Sequence, residues 1–360
     1  MPLRLTLLLF SLSALAGCRS AGSQSEASEV PSSPLEAEVQ LLPLTGPCAE
    51  RDAEISSLAW FGDDLVLLPQ YPGRFSVTTD TLEVEGEERQ TGALCVLAKA
   101  ELIAFVEGRY RGALHPRLVP FESAGLAREA EGYEGYEAIA FQGDRVYLAI
   151  ESDGTEAMQG YLVQGTARVE EGRLAGVRLN TRSLVPLPAQ TRLHNLSYET
   201  LLVTPRGILA LQEANGVAVN PTPEAYLFDP ALHLRDSLDV PTLEYRLTDA
   251  TTLDAEGRFW GLNYFYPGDQ GTLRPGPDSL ELLYGTGWTH QREAVVERLV
   301  EFRLDGDRIV RTERPPIPLR LLGENRARNW EGIARLDDLG FILATDTYPA
   351  TILAFVAVSD

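Results

Sequence analysis

The chain has 360 residues, 52 Asp and Glu against 31 Lys and Arg, and a formal net charge of −21. A surface that acidic repels nucleic acid and anionic lipid headgroups, which excludes electrostatic binding to either. The length suits one large all-β domain or two smaller ones.

Residues 1–17 have the parts of a secretory signal: Arg4 as the positive head, a short apolar run from Leu5 to Leu12, then small residues. That run is too short to span about 30 Å of hydrocarbon as a helix. Leu15-Ala16-Gly17-Cys18 resembles the bacterial lipobox, in which cleavage leaves the cysteine to carry a diacylglycerol. Loss of residues 1–17 removes Arg4 and takes the charge from −21 to −22. Residues 18–35 are rich in Ser, Ala, Gly and Glu, without hydrophobic period, and read as a flexible tether. Arg19 leans towards an outer-membrane address, with the membrane touched only through the lipid. Cys48 and Cys95 remain as an even pair in an oxidising compartment, expected as a disulfide, with two separate buried thiols as the alternative. No CxxC or Cys/His cluster offers a structural zinc site.

From residue 36 to 360 the chain repeats a hairpin: an acid, an apolar strand, a turn, a second apolar strand and a polar residue. The five copies run from Glu54 to Gln70, Glu137 to Glu151, Glu199 to Glu213, Asp249 to Asn263 and Glu331 to Asp346. Their spans are 16, 14, 14, 14 and 15 residues, so these are equivalent places in equivalent hairpins. Turns such as Gly62-Asp63, Gly143-Asp144 and Glu256-Gly257 are hairpin chemistry. Further strands follow each pair, and Lys99–Glu107 reads as a short helix. Four strands per unit around an axis describe a single β-propeller of four-stranded blades. The gaps between opening acids are 83, 62, 50 and 82 residues, which favours five blades, with six as the alternative count. An N-terminal strand at Ala37–Leu44 would close the ring.

Equivalent first-strand positions form a ring at one end of the channel: Glu54, Glu137, Glu199, Asp249 and Glu331. Gln70, Glu151, Glu213, Asn263 and Asp346 would lie beside them. Converging carboxylates repel unless protonated, paired or neutralised by a cation, and such oxygens suit calcium. The alternative is that they cap blade edges. Arg51, Arg246 and Arg328 each stand three residues before an opening acid, and either pair with it or form a rim for an anionic small molecule. His194 is a candidate general base beside Glu199.

Asn329-Trp-Glu-Gly-Ile-Ala with Leu343-Ala-Thr-Asp346, and Tyr136-Glu-Ala-Ile-Ala with Tyr147-Leu-Ala-Ile-Glu151, resemble the phytase-like propellers, described as having esterase-like activity. The resemblance implies a secreted or periplasmic propeller, calcium, and hydrolysis of phosphate or other esters. It carries over Glu137, Glu199 and Glu331 as channel residues. The chain departs from the Glu-Gly form at Glu137-Ala, Glu199-Thr, Asp249-Ala and Glu54-Ile. Motifs for other hydrolases or nucleotide binding (GxSxG, HExxH, the P-loop, GxGxxG) are missing. The expectation is a monomeric, lipid-anchored, calcium-dependent esterase or phosphoesterase working at the channel mouth. The alternative is a non-catalytic ligand- or protein-binding propeller at the cell envelope.

Overall fold

The computed structural model describes residues 35–84, 89–153 and 158–358. Cys18, the signal segment and nearly all of the expected tether lie outside the described residues. No helix among the described residues is long and apolar enough to cross a membrane.

Among the described residues, twenty strands of three or more residues build the domain, with four two-residue strands beside them. Strand β1 (Gln40–Leu42) is followed by β2 (Ile55–Phe61), β3 (Asp64–Pro69), β4 (Thr91–Ala98) and β5 (Arg117–Glu122), an antiparallel meander. The second meander is β6 (Tyr133–Gln142), β7 (Arg145–Asp153), β8 (Met158–Glu170) and β9 (Arg173–Leu179). The third is β10 (Tyr198–Thr204), β11 (Gly207–Gln212), β12 (Glu224–Phe228) and β13 (Leu234–Asp239). The fourth is β14 (Arg246–Ala250), β15 (Arg258–Phe265), β16 (Val296–Asp305) and β17 (Arg308–Arg311). Last come β18 (Trp330–Leu336), β19 (Gly340–Thr345) and β20 (Leu353–Ala357), and β1 pairs with β20 to supply the fourth strand, Gln40 opposite Phe355. A helix, α1 (Lys99–Val106), follows β4.

The first strands pack side by side in a closed cycle: β2 on β6, β6 on β10, β10 on β14, β14 on β18, and β18 back on β2. The fold is therefore all-β and of the propeller kind. Outer strands of neighbouring meanders also touch in parallel, Val177 opposite Phe121 and Asp239 opposite Arg308.

Strand periodicity explains the packing. Successive side chains point to opposite faces, and each sheet is covered on both faces, so its second strand is apolar throughout, as in Leu65-Val66-Leu67-Leu68. Leu65 and Leu67 join Leu336, Ile342 and Phe355 of the last meander. Val66 and Leu68 join Ile139, Val146 and Leu148 of the second. The same division holds between the other neighbours, for example Leu209 with Phe259 and Phe302, and Trp260 with Ile333 and Phe341. Cys48 and Cys95 are joined in a disulfide with their Cα atoms 6.2 Å apart, both buried.

Candidate functional site

All five first strands carry a β-bulge near their start. The register skips a residue there in each, Ser56, Glu137, Glu199, Thr248 and Glu331, and β6 skips a second, Glu134. A bulge sets two residues opposite one and re-aims a side chain. The equivalent positions are thus three glutamates, a serine and a threonine, which corrects two of the five predicted ring members.

Glu54 precedes its bulge by two residues, in a left-handed backbone conformation with φ 47°, and pairs with Arg74 at 2.9 Å. Asp249 follows its bulge by one residue and is buried inside the ring. Its Oδ2 accepts from Ile333 N at 3.0 Å, Leu58 N at 3.3 Å and Ser57 Oγ at 3.3 Å. Burial pushes the Asp249 carboxyl well above the usual range, against the pull of those hydrogen bonds. The fourth meander thereby ties to β18 and, across the ring, to β2. Asp249 is a structural pin.

The three true equivalents, Glu137, Glu199 and Glu331, gather with Glu151 and Glu213 from the ends of the second strands. All five are at most 6% exposed. The Arg246 guanidinium lies among them: Nε on Glu213, Nη2 at 3.1 Å from Glu331 and 3.4 Å from Glu199. Its Cζ is 5.7 Å from the Tyr264 ring centroid. Burial works against this charge, but Glu331 and Glu199 more than offset it and keep the guanidinium protonated beyond its ordinary range.

One guanidinium cannot neutralise five carboxylates in a low-dielectric site. Burial, with Glu151 next, lifts Glu137 well above the ordinary value, although Gln70 Nε2 donates to it at 2.8 Å. Burial and then the Glu331 charge do the same to Glu199. Burial raises Glu151 and Glu331 to about 7, with Arg246 holding each partly down. Glu331 and Glu199 both accept from Arg246 Nη2, so the two carboxyls meet at one donor. Glu151 Oε1, Glu199 Oε2 and Glu213 Oε2 are buried without a hydrogen-bond partner. The arrangement can hold, share and transfer protons.

The other predicted site residues lie elsewhere. Arg328 is buried away from the mouth, 2.7 Å from Glu297 and donating to the Arg320 carbonyl at 2.6 Å. Trp330 Nε1 shares Glu297 at 2.8 Å. Arg51 donates to the Thr347 carbonyl at 3.2 Å. No arginine rim forms, since these two are engaged elsewhere and Arg246 is spent on glutamates. His194 has an exposed side chain with Nδ1 3.2 Å from Asp153, so Glu199 meets Arg246 and Glu331 rather than a histidine base. Glu151 and Glu213, expected only as closing positions, belong to the cluster. Their signal was present: each is an acid directly after a buried apolar run, residues 146–150 for Glu151 and 208–211 with Gln212 for Glu213.

Calcium would need carboxylate oxygens converging on an open centre. Here the centre holds a guanidinium, and among the described residues no group of three or more His, Cys, Asp or Glu is disposed to hold a metal ion. The residues do not fit calcium.

No protein-family model and no curated protein matches this chain. Solved structures similar to it include a glycoside hydrolase of the GH130 family of mannoside phosphorylases, described as targeting β-1,2-mannosidic linkages in Candida mannan. It is 8% identical with a TM-score of 0.47, covering 90% of this chain and 97% of that one. A Bacteroides ovatus glycosyl hydrolase is 9% identical, TM-score 0.42, covering 90% and 93%. A Bombyx mori GH32 β-fructofuranosidase is 9% identical, TM-score 0.45, covering 91% and 61%. These three are described as glycoside hydrolases, and none of them as a phytase.

Proposed function

We propose that this protein is a five-bladed propeller, lipid-anchored through Cys18, whose mouth glutamates hydrolyse a C–O bond in an uncharged substrate. The observation that carries the reading is the Glu199–Glu331 pair, two buried carboxyls that both accept from the Arg246 guanidinium. Catalytic sites need carboxyls pushed apart in acidity so that one is an acid and the other a base at the same pH. Glu331, closer to Arg246, is the carboxylate that takes a proton from water. Glu199, held further above the ordinary range, is the acid that protonates the leaving oxygen. Proton transfer of this kind contributes about 10²–10⁴-fold to a rate. An uncharged substrate follows from the engagement of Arg51, Arg246 and Arg328.

The test is a panel of p-nitrophenyl esters, glycosides and phosphates. Turnover is expected on a neutral member, falling at least about 100-fold in Glu199→Gln and in Glu331→Gln. Failure of the wild type on every member, or full activity in both variants, overturns the enzymatic reading. The near-complete burial of the acids favours a second reading, a non-catalytic binding propeller, which the first of those outcomes would leave standing. Palmitate labelling that is lost in Cys18→Ser tests the anchor.

A further inference from the structure

Of the fourteen large apolar side chains exposed among the described residues, five fall on segments joined to the start of the domain: Leu35, Leu282, Leu283, Trp288 and Leu322. Leu35 is 90% exposed and Leu282 74%. A hydrogen-bonded cluster ties these segments together. Glu36 Oε1 accepts from Thr289 N at 2.8 Å and from His290 N at 3.3 Å. Gly287 lies against the same carboxylate, so closely that a Cβ there would collide with it. Leu321 N donates to Thr289 Oγ1 at 3.2 Å. Leu35, Trp288 and Leu322 are thus each next in sequence to a member of the cluster. Leu282 and Leu283 belong to the short helix Ser279–Tyr284, which buries Leu280, and Gly285 caps it on the way back to Trp288.

The chemistry of this face is that of an interface with lipid. Trp288 is half-exposed, whereas Trp260 and Trp330 are buried and Trp60 is bonded to the Arg335 carbonyl. The Arg292 Cζ stands 4.5 Å from the Trp288 ring centroid. An indole has an apolar body and a wet N–H edge, which suits the boundary between hydrocarbon and water. An arginine beside it can lay its stem on apolar groups and keep its head in water. Segments 281–293 and 320–326 hold three arginines against three glutamates, no net charge in a chain of −21. A second copy of so acidic a chain would be repelled, and a zwitterionic bilayer would not.

We propose that this face docks on a zwitterionic lipid surface, laying the connection between β15 and β16 against the bilayer. The inference rests on the Cys18 anchor proposed above and extends it. Leu35 lies seventeen positions after Cys18, and a Ser- and Gly-rich coil of that length has an r.m.s. span of about 20–25 Å. A tether so short supplies an effective concentration of about a millimolar. A patch with only weak affinity of its own therefore stays docked.

The full chain, reconstituted in phosphatidylcholine vesicles with and without bromine on the acyl chains, tests this through its tryptophan emission. Bromine quenches only a ring that reaches the acyl chains. Quenching is expected in the wild type and is lost in Trp288→Phe, which keeps the face apolar and removes the reporter. Leu282→Asp with Leu283→Asp alters two exposed positions and should lower the docked-to-free ratio at least about tenfold. That variant is expected to lose most of the quenching and still float with the vesicles. Flotation reads the anchor separately. A wild type that floats unquenched overturns the docking face and leaves the anchor standing, and one that does not float overturns both. Quenching undiminished in the double leucine variant overturns the proposal. So does a dimer in vesicle-free detergent that the same variant breaks, which would assign the face to a second copy.

Discussion

At the mouth, Glu137, Glu151, Glu199 and Glu331 hold their protons more firmly in the folded chain than in the unfolded one. Glu151 and Glu331 titrate near 7 when folded, against an ordinary value of 4.5. A raised carboxyl pKa means that the folded state binds more protons, so its contribution to stability is complete below about pH 4.5 and is lost as pH rises through 7. For one group taken alone the swing is on the order of 3 kcal/mol. Asp254 and Glu36, whose carboxyls are lowered on balance by hydrogen bonds despite some burial, act in the opposite sense but below this window. The melting temperature is therefore expected to fall between pH 5 and pH 8. Glu151→Gln keeps the shape and removes the ionisation, so it should flatten that fall and melt higher than the wild type at pH 8. Thermal melts across this range check the point, and parallel curves for the two proteins would mean that Glu151 ionises freely when folded.

Among elements, the bulged first strand decides both packing and chemistry. The position after the bulge is Ser57, Ala138, Thr200, Asp249 or Gly332, and it faces the crowded centre. A Cβ on Gly332 would come within 2.8 Å of Leu58 Cγ and 3.3 Å of Leu58 N. Gly332→Ala must push β18 off β2, and overpacking of this kind costs about 1–3 kcal/mol. A lower denaturation midpoint at unchanged m-value is the expected reading; an unchanged midpoint would mean that the two strands give way freely.

The hairpins, their turns, α1 and the closing N-terminal strand were legible in the sequence because strands buried on both faces write themselves as continuous apolar runs between glycine turns. The bulges were not. A bulge adds one residue at a place that spacing does not mark, so the 14-residue span from Asp249 to Asn263 matched its neighbours while Thr248 was the true equivalent. Arg328 was misread for another reason. Its partner Glu297 lies 31 residues away in the preceding meander, and only packing brings them together.

Over the whole molecule, the first described segment holds the ring closed at three points. Glu36 Oε1 accepts from Thr289 N at 2.8 Å and Thr289 Oγ1 at 2.6 Å, and lies 3.0 Å from His290 Nδ1. Strand β1 then pairs with β20, and Cys48 is bonded to Cys95 on β4 of the first meander. The disulfide closes a separation of 47 residues, for which chain entropy alone gives about 4 kcal/mol. Removing the Glu36 acceptor leaves buried donors unpaired at about 1–3 kcal/mol. These two clasps flank the three residues of β1, too short a strand to hold its register without them. With one clasp intact, β1 remains close to β20 and the ring re-forms. With both gone, the strand frays and the last meander loses its outer edge. Glu36→Ala combined with Cys48→Ala and Cys95→Ala should therefore destabilise the protein by more than the sum of the separate losses, by about 0.5–3 kcal/mol in a double-mutant cycle. Urea unfolding of the four proteins measures that excess. Additive losses would show that β1 stays in place by its own contacts, Leu42 being buried against the core of the first and last meanders.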